Sequence, residues 1–303
     1  MKNFVKQHAS ALTAVLACLA LALVLYHSLA GGTLLQSSPY NSYALQAENW
    51  LAGRNNIANG ENYTWLELAI YQGRYYQSFP PVPAVLMLPF VAAAGEWSAI
   101  PGNLIAMGLA LLCAGGVYAC CMRGGMQPVT CAFFTLFVSM GSNVFWMSTS
   151  DGVWFLAQVC ALGFAFWGLF FAQGGNAVQD AAASLCMALA VGCRPFYALL
   201  LACWLGWQFY QRRSLKKILP ALLPAVVMAA CMMAYNFARF GSVTEFGHNY
   251  LPEFVRAENG QFSLTYLVPN LLQLLRPVTL DAQGQLHFEI YNGFLFFAAN
   301  PLF

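Results

Sequence analysis

Few residues in this 303-residue chain are equipped for chemistry, and most of those lie where apolar segments begin or end. Glu48, Glu61 and Glu67 fall in a polar stretch at 36–80. Asp151 opens an apolar segment behind Ser148, Thr149 and Ser150, and Arg194 with Pro195 sits between two others. A carboxylate can take the proton of an attacking hydroxyl, and an arginine can hold the charge of a departing phosphate. Each also has an ordinary structural explanation. Glu67 suits a solvated helix surface, Asp151 suits a helix N-cap, and Arg194 suits an interfacial cation whose stem lies along lipid. Lys216 and Lys217 need no role beyond orientation.

Metal chemistry has little to work with. The four histidines (His8, His27, His248, His287) are scattered. All ten cysteines fall inside apolar segments with no CxxC, where Cys behaves as a small apolar residue, so disulfides and a metal site are both disfavoured.

The elements that must position these groups belong in a bilayer. Only 8% of the residues are charged and 60% are hydrophobic, and the mean hydropathy is +0.59. A soluble domain carries about 25% charged residues, so this chain lacks the polar surface for water. In lipid the backbone must satisfy itself, which favours helices. The apolar runs are continuous, without the alternation of a barrel wall. The small net charge of +2 forms no basic stripe, which argues against nucleic acid as a partner. The expected fold class is therefore all-α: a polytopic helical membrane protein with a structured outer loop after the first helix.

Lys2 and Lys6 place the N-terminus in the cytoplasm. The apolar run at 11–35 is longer than a cleaved signal's core, so it is expected to stay as the first helix. The loop at 36–80 is too long for a connector, and 42–52 within it has helical spacing ending at Gly53. Apolar segments follow at 82–97, 103–122, 129–149, 152–173, 181–193, 196–211 and 218–236. The basic run at 211–217 belongs inside. Counting back from it puts Arg194 and Asp151 outside, on the face of 36–80. It also leaves 82–97, with Pro81, Pro83 and Pro89, dipping into the membrane without crossing. Treating 181–211 as one helix would reverse the faces upstream. Such a helix would be about 46 Å long against a core of about 30 Å, so a short hairpin is preferred. A second outer region is expected at 237–290, with an amphipathic interfacial stretch at 262–275. The last apolar stretch, 291–303, is shorter than a span, which gives the expectation of a C-terminally truncated chain forming a single membrane domain over 1–303.

Three ordered strings resemble a known family. These are ELAIYQGRYYQSFPPVPA at 67–84, VGCRP at 191–195 and YNFARFGS at 235–242. They are similar to strings in bacterial members of the C-type (GT-C) multi-spanning glycosyltransferase superfamily, in the group of protein mannosyltransferases and aminoarabinose transferases. The resemblance implies a GT-C-like fold. It also implies transfer of a sugar from a polyprenyl-phosphate carrier to a lipid, glycan or protein on the outer face of a bacterial plasma membrane. On that resemblance Glu67 and Asp151 are the candidate catalytic carboxylates. Arg194 would hold the donor phosphate, directly or through a divalent cation. Arg74, Tyr75, Tyr76, His248 and Tyr250 are candidates for binding substrate. Glu67, Asp151 and Arg194 are then expected to converge on one outward-opening cavity.

One departure stands out. Related enzymes usually carry an Asp early in the first loop, where this chain has Asn41 or Ser42. Either Glu48 or Glu67 supplies the charge, or the chain is not a conventional transferase. The alternative is a non-catalytic transporter, flippase or scaffold. Against a transporter, no mid-span acid and no internal repeat is visible.

Overall fold

The computed structural model describes residues 2–256, 258–260 and 263–287, and the expectation for 291–303 lies outside them. The chain divides into two compact units, Met1–His248 and Asn249–Phe303.

The first unit is mostly helical. α1 (Lys2–Leu29) leads through a short turn to α2 (Ser42–Leu51). A hairpin of β1 (Leu68–Tyr71) and β2 (Arg74–Gln77) follows, then α3 (Val82–Ala94), α4 (Gly102–Arg123), α5 (Pro128–Met140), α6 (Val144–Met147) and α7 (Val153–Ala172). α8 (Ala177–Val191), α9 (Ala198–Arg212) and α10 (Leu215–Phe240) complete the order. The second unit has α11 (Pro252–Val255), α12 (Leu267–Leu274) and a small hairpin of β3 (Thr279–Leu280) with β4 (Leu286–His287).

Four described helices are long and apolar enough to cross a membrane: α4, α7, α10 and the Lys6–Leu29 part of α1. α3, α5 and α8 are shorter apolar helices. Without a hydrophobic drive between helices in lipid, close packing must hold them together. The facing surfaces of α4 and α7 are accordingly small: Ala106, Ala110, Cys113 and Ala114 against Ala157, Cys160 and Ala161, all buried. Leu19 and Leu23 of α1 pack on Ala110 and Ala114. Met187 of α8 packs with Trp204 of α9 and Ala221 of α10.

Long-range contacts define two ends of the bundle. At one end Asn103 N–H donates to Gln36 O at 3.0 Å, Val82 N–H to Gly192 O at 3.1 Å and Val153 N–H to Tyr40 O at 3.0 Å. At the other, His8 meets Tyr118 at 3.1 Å, and Arg212 pairs with Asp180 at 2.5 Å. The first end therefore gathers Asp151, Arg194 and the long first loop, and Arg212 lies at the opposite end. The Asp180–Arg212 pair joins the start of α8 to the end of α9, so these are two antiparallel helices rather than one long helix. Both ends of α3 are tied to the Asp151 end, by Val82 to Gly192 and by Trp97 N–H to Glu48 Oε2 at 2.8 Å. This is the arrangement expected of a segment that does not cross.

The hairpin is absent from the sequence reading. Its strands pair Leu68 with Gln77 through Tyr71 with Arg74. Gln72 and Gly73 turn the chain with φ of 50° and 72°, the left-handed pair that a two-residue hairpin needs. The apolar stretch ahead of Arg276 forms a helix at Leu267–Leu274 whose leucines and Val268 are exposed, and Phe262 lies outside the described residues.

Candidate functional site at the Asp151 end

The site is built on the first loop. Asn41 caps α2 by accepting the Ala44 N–H on Oδ1 at 2.9 Å. Its Nδ2 donates to Asp151 Oδ2 at 2.6 Å. Ser37 Oγ donates to the same oxygen at 2.6 Å, and Ser38 N–H donates to Oδ1 at 2.7 Å. Asp151 N–H in turn donates to Asn103 Oδ1 at 3.2 Å. The carboxylate also lies against Gly102, where a Cβ would collide with it, so only glycine lets α4 start so close. Asp151 is fully buried. Burial pushes its carboxyl above the usual range, opposed by the hydrogen bonds from Ser37, Ser38 and Asn41. Its observed work is to tie the first loop to the starts of α4 and α7.

Glu67 stands elsewhere. It precedes β1, and its backbone carbonyl accepts from Ser78 Oγ at 3.1 Å, which closes the hairpin stem. Its Oε2 accepts the indole N–H of Trp154 at 3.3 Å. Trp154 is the second residue of α7, and its backbone carbonyl accepts from Arg194 Nη2 at 2.8 Å. Trp154 thus gathers Glu67 and Arg194 on one residue. The Arg194 guanidinium also lies 5.8 Å from the Phe79 ring centroid. No carboxylate comes within 4 Å of it among the described residues, and its buried Nε has no partner. A half-buried guanidinium with one unsatisfied N–H and no carboxylate beside it suits an anion. His248 reaches the same Phe79 ring at 6.1 Å.

The other sequence candidates are dispersed. Tyr76 is buried against Phe240 at 5.2 Å between centroids, Tyr75 packs with Leu45, Ile57 and Leu66, and Arg74 at the turn is exposed. Tyr250 belongs to the second unit. Glu48 holds the Trp97 amide. Among the described residues no three His, Cys, Asp or Glu side chains converge as a metal site.

Sequence reasoning missed Trp154, whose interfacial position at the start of a span was the available signal. It also gave no role to Arg239, within the YNFARFGS string. Arg239 is nearly buried and donates through Nη1 to Gln77 O at 2.5 Å and through Nη2 to Asn236 Oδ1 at 3.2 Å. The guanidinium stacks over Tyr235 at 3.9 Å. It latches the end of α10 to the hairpin stem, and so steadies the strand pair beside Glu67. No protein-family model, no curated protein and no solved structure matches the chain at a significant level.

Proposed function

We propose that the chain is a membrane glycosyltransferase that moves a sugar from a polyprenyl-phosphate donor to an acceptor hydroxyl at the Asp151 end of the bundle. In this reading that end faces outward from a bacterial plasma membrane and the N-terminus is cytoplasmic. The observation that carries it is the meeting of Glu67 and Arg194 on Trp154. A base and a phosphate partner must stand within a few bonds of the reacting carbon, and holding them there removes much of the entropic barrier. Glu67 takes the proton of the acceptor hydroxyl, whose oxygen attacks the anomeric carbon. The bond from that carbon to the phosphate oxygen breaks, its electron pair leaves with the phosphate, and Arg194 stabilises the charge.

The test is transfer from a polyprenyl-phosphate sugar by purified protein in lipid nanodiscs. Glu67→Gln keeps the shape of the side chain and its acceptor for Trp154, and removes the base. Transfer should fall by about 10²–10⁴-fold with expression and thermal midpoint unchanged. Undiminished transfer by the variant would remove Glu67 from the mechanism.

A non-catalytic role on the same helical frame is favoured by one observation. Asp151, the other expected catalytic acid, is buried with its oxygens held by Ser37, Ser38 and Asn41. Wild-type protein that binds the donor and never releases free polyprenyl phosphate would support that reading.

A further inference from the structure

Three large aromatic side chains stand exposed in a series linked to Glu67 through Trp154. Tyr40, Trp65 and Trp154 are 41%, 46% and 38% exposed. The Tyr40 and Trp154 rings lie 5.9 Å apart at an interplanar angle of 40°, forming a shallow open angle. Backbone hydrogen bonds hold the set in place. The Tyr40 carbonyl accepts from Val153 N–H at 3.0 Å, and the preceding Pro39 carbonyl accepts the Trp65 indole N–H at 3.0 Å. Trp154 gives its N–H to Glu67 at 3.3 Å.

Tryptophans that merely anchor a protein at the membrane interface use an apolar ring and a polar tip together, with the tip in the wet headgroup layer. Here both indole N–H groups are already given to the protein. What remains exposed is ring surface, with the Trp65 ring steadied edge-to-face by Tyr63 and the Glu67 carboxylate on the Trp154 N–H. A pyranose has the complementary form: one apolar face of C–H groups and a rim of hydroxyls. The C–H face can lie on the rings while a rim hydroxyl donates to the Glu67 carboxylate.

We propose that Tyr40, Trp65 and Trp154 form a saccharide-binding ledge that receives the acceptor, with Glu67 as the hydroxyl partner at its edge. The binding of a sugar follows from the ledge alone, and the sugar's role as acceptor rests on the transferase reading above. The ligand class is a neutral pyranoside or a glycan ending in one, since the ledge offers ring faces and one negative group.

The experiment is saturation-transfer NMR on the full chain in nanodiscs with methyl glucopyranoside, methyl galactopyranoside and methyl mannopyranoside. At least one should receive saturation at its ring C–H protons. Trp154→Ala and Tyr40→Ala should weaken binding about tenfold, the loss expected from a stacked ring. Tyr40→Phe should retain binding, and Tyr40→Leu, which keeps apolar bulk without a flat face, should lose it. Thermal midpoints identify any variant that has unfolded, and the Tyr40 series still decides the matter if Trp154→Ala does.

No saturation with any of the three sugars, or signals untouched by both alanine variants, overturns the ledge. Binding that depends on these rings, together with transfer that survives Glu67→Gln, leaves the ledge standing and removes the catalytic reading. Transfer that needs Glu67 but keeps its acceptor KM in Tyr40→Ala does the opposite.

Discussion

Asn41 Nδ2 donates to Asp151 Oδ2 at 2.6 Å while the Oδ1 of the same amide accepts the Ala44 N–H at 2.9 Å. The position therefore needs a donor on one side and an acceptor on the other. An amide meets both demands and a carboxylate meets only the second. An Asp could not sit here unless it or Asp151 took up a proton.

Replacing Asn41 by Asp tests this directly. Asp caps helices about as well as Asn, so the α2 cap is preserved and only the bond to Asp151 is lost. At neutral pH the variant should lose about 2–4 kcal/mol, since it brings two buried carboxylates together. The loss should shrink in acid as the pair takes up one proton. Thermal unfolding at pH 7 and pH 5 measures both, and equal loss at the two values would mean the charges do not interact.

The Asp151 carboxyl, held above its usual range by burial, carries a pH signature. In the unfolded chain it ionises from about pH 4 upward, whereas in the folded protein it does so later. Its contribution to stability is therefore complete below about pH 4 and is lost as pH rises through its raised folded value. The stability of wild type relative to Asp151→Asn should fall across that window and then level off. A difference that grows with pH would show that the three hydrogen bonds outweigh burial.

At the other end, Asp180 is fully buried, with Arg212 at 2.5 Å and Gln208 Nε2 at 3.2 Å. Arg212→Gln leaves a buried carboxylate without its cation and should cost about 3 kcal/mol. Adding Asp180→Asn should recover most of it. Chemical unfolding of the single and double variants gives the coupling, and additive losses would mean that the pair is not coupled.

Arg194 should act on the donor. In the transferase reading, Arg194→Gln lowers kcat/KM by about 10²–10³-fold, the scale of losing one preorganised charge stabiliser. Arg194→Lys should restore part of it, because it keeps the charge and loses the planar fork. A change in acceptor KM alone would place Arg194 on the wrong side of the reaction.

Local pattern carried most of the architecture and little of the site. Continuous apolar runs mark α4, α7 and α10 because a helix in lipid must be apolar along its whole exposed length. The short path of α3 was legible through prolines and the parity of the charges around it. The hairpin at 68–77 is written in Gln72-Gly73 between residues that favour strands, but strands of four residues are too short to show a clear alternation. The Asp180–Arg212 pair could not be read, since 32 residues separate its members and Asp180 sits at the edge of an apolar run. Trp154 looks like one more apolar residue until the fold brings Glu67 to it from 87 residues away.

The knot of bonds at Asp151 also sets a clock on synthesis. Asn41 leaves the ribosome 110 residues before its partner, and at about 5–20 residues per second that is a wait of about 5–20 s. Through that interval the Ser37 hydroxyl, the Ser38 N–H and the Asn41 amide nitrogen have only water, or a helper protein, in place of Asp151. The first loop is thus exposed to proteases and to mispairing until residue 151 has emerged. Nascent chains arrested before residue 151 should be cut within 36–41, and chains arrested well after it should not.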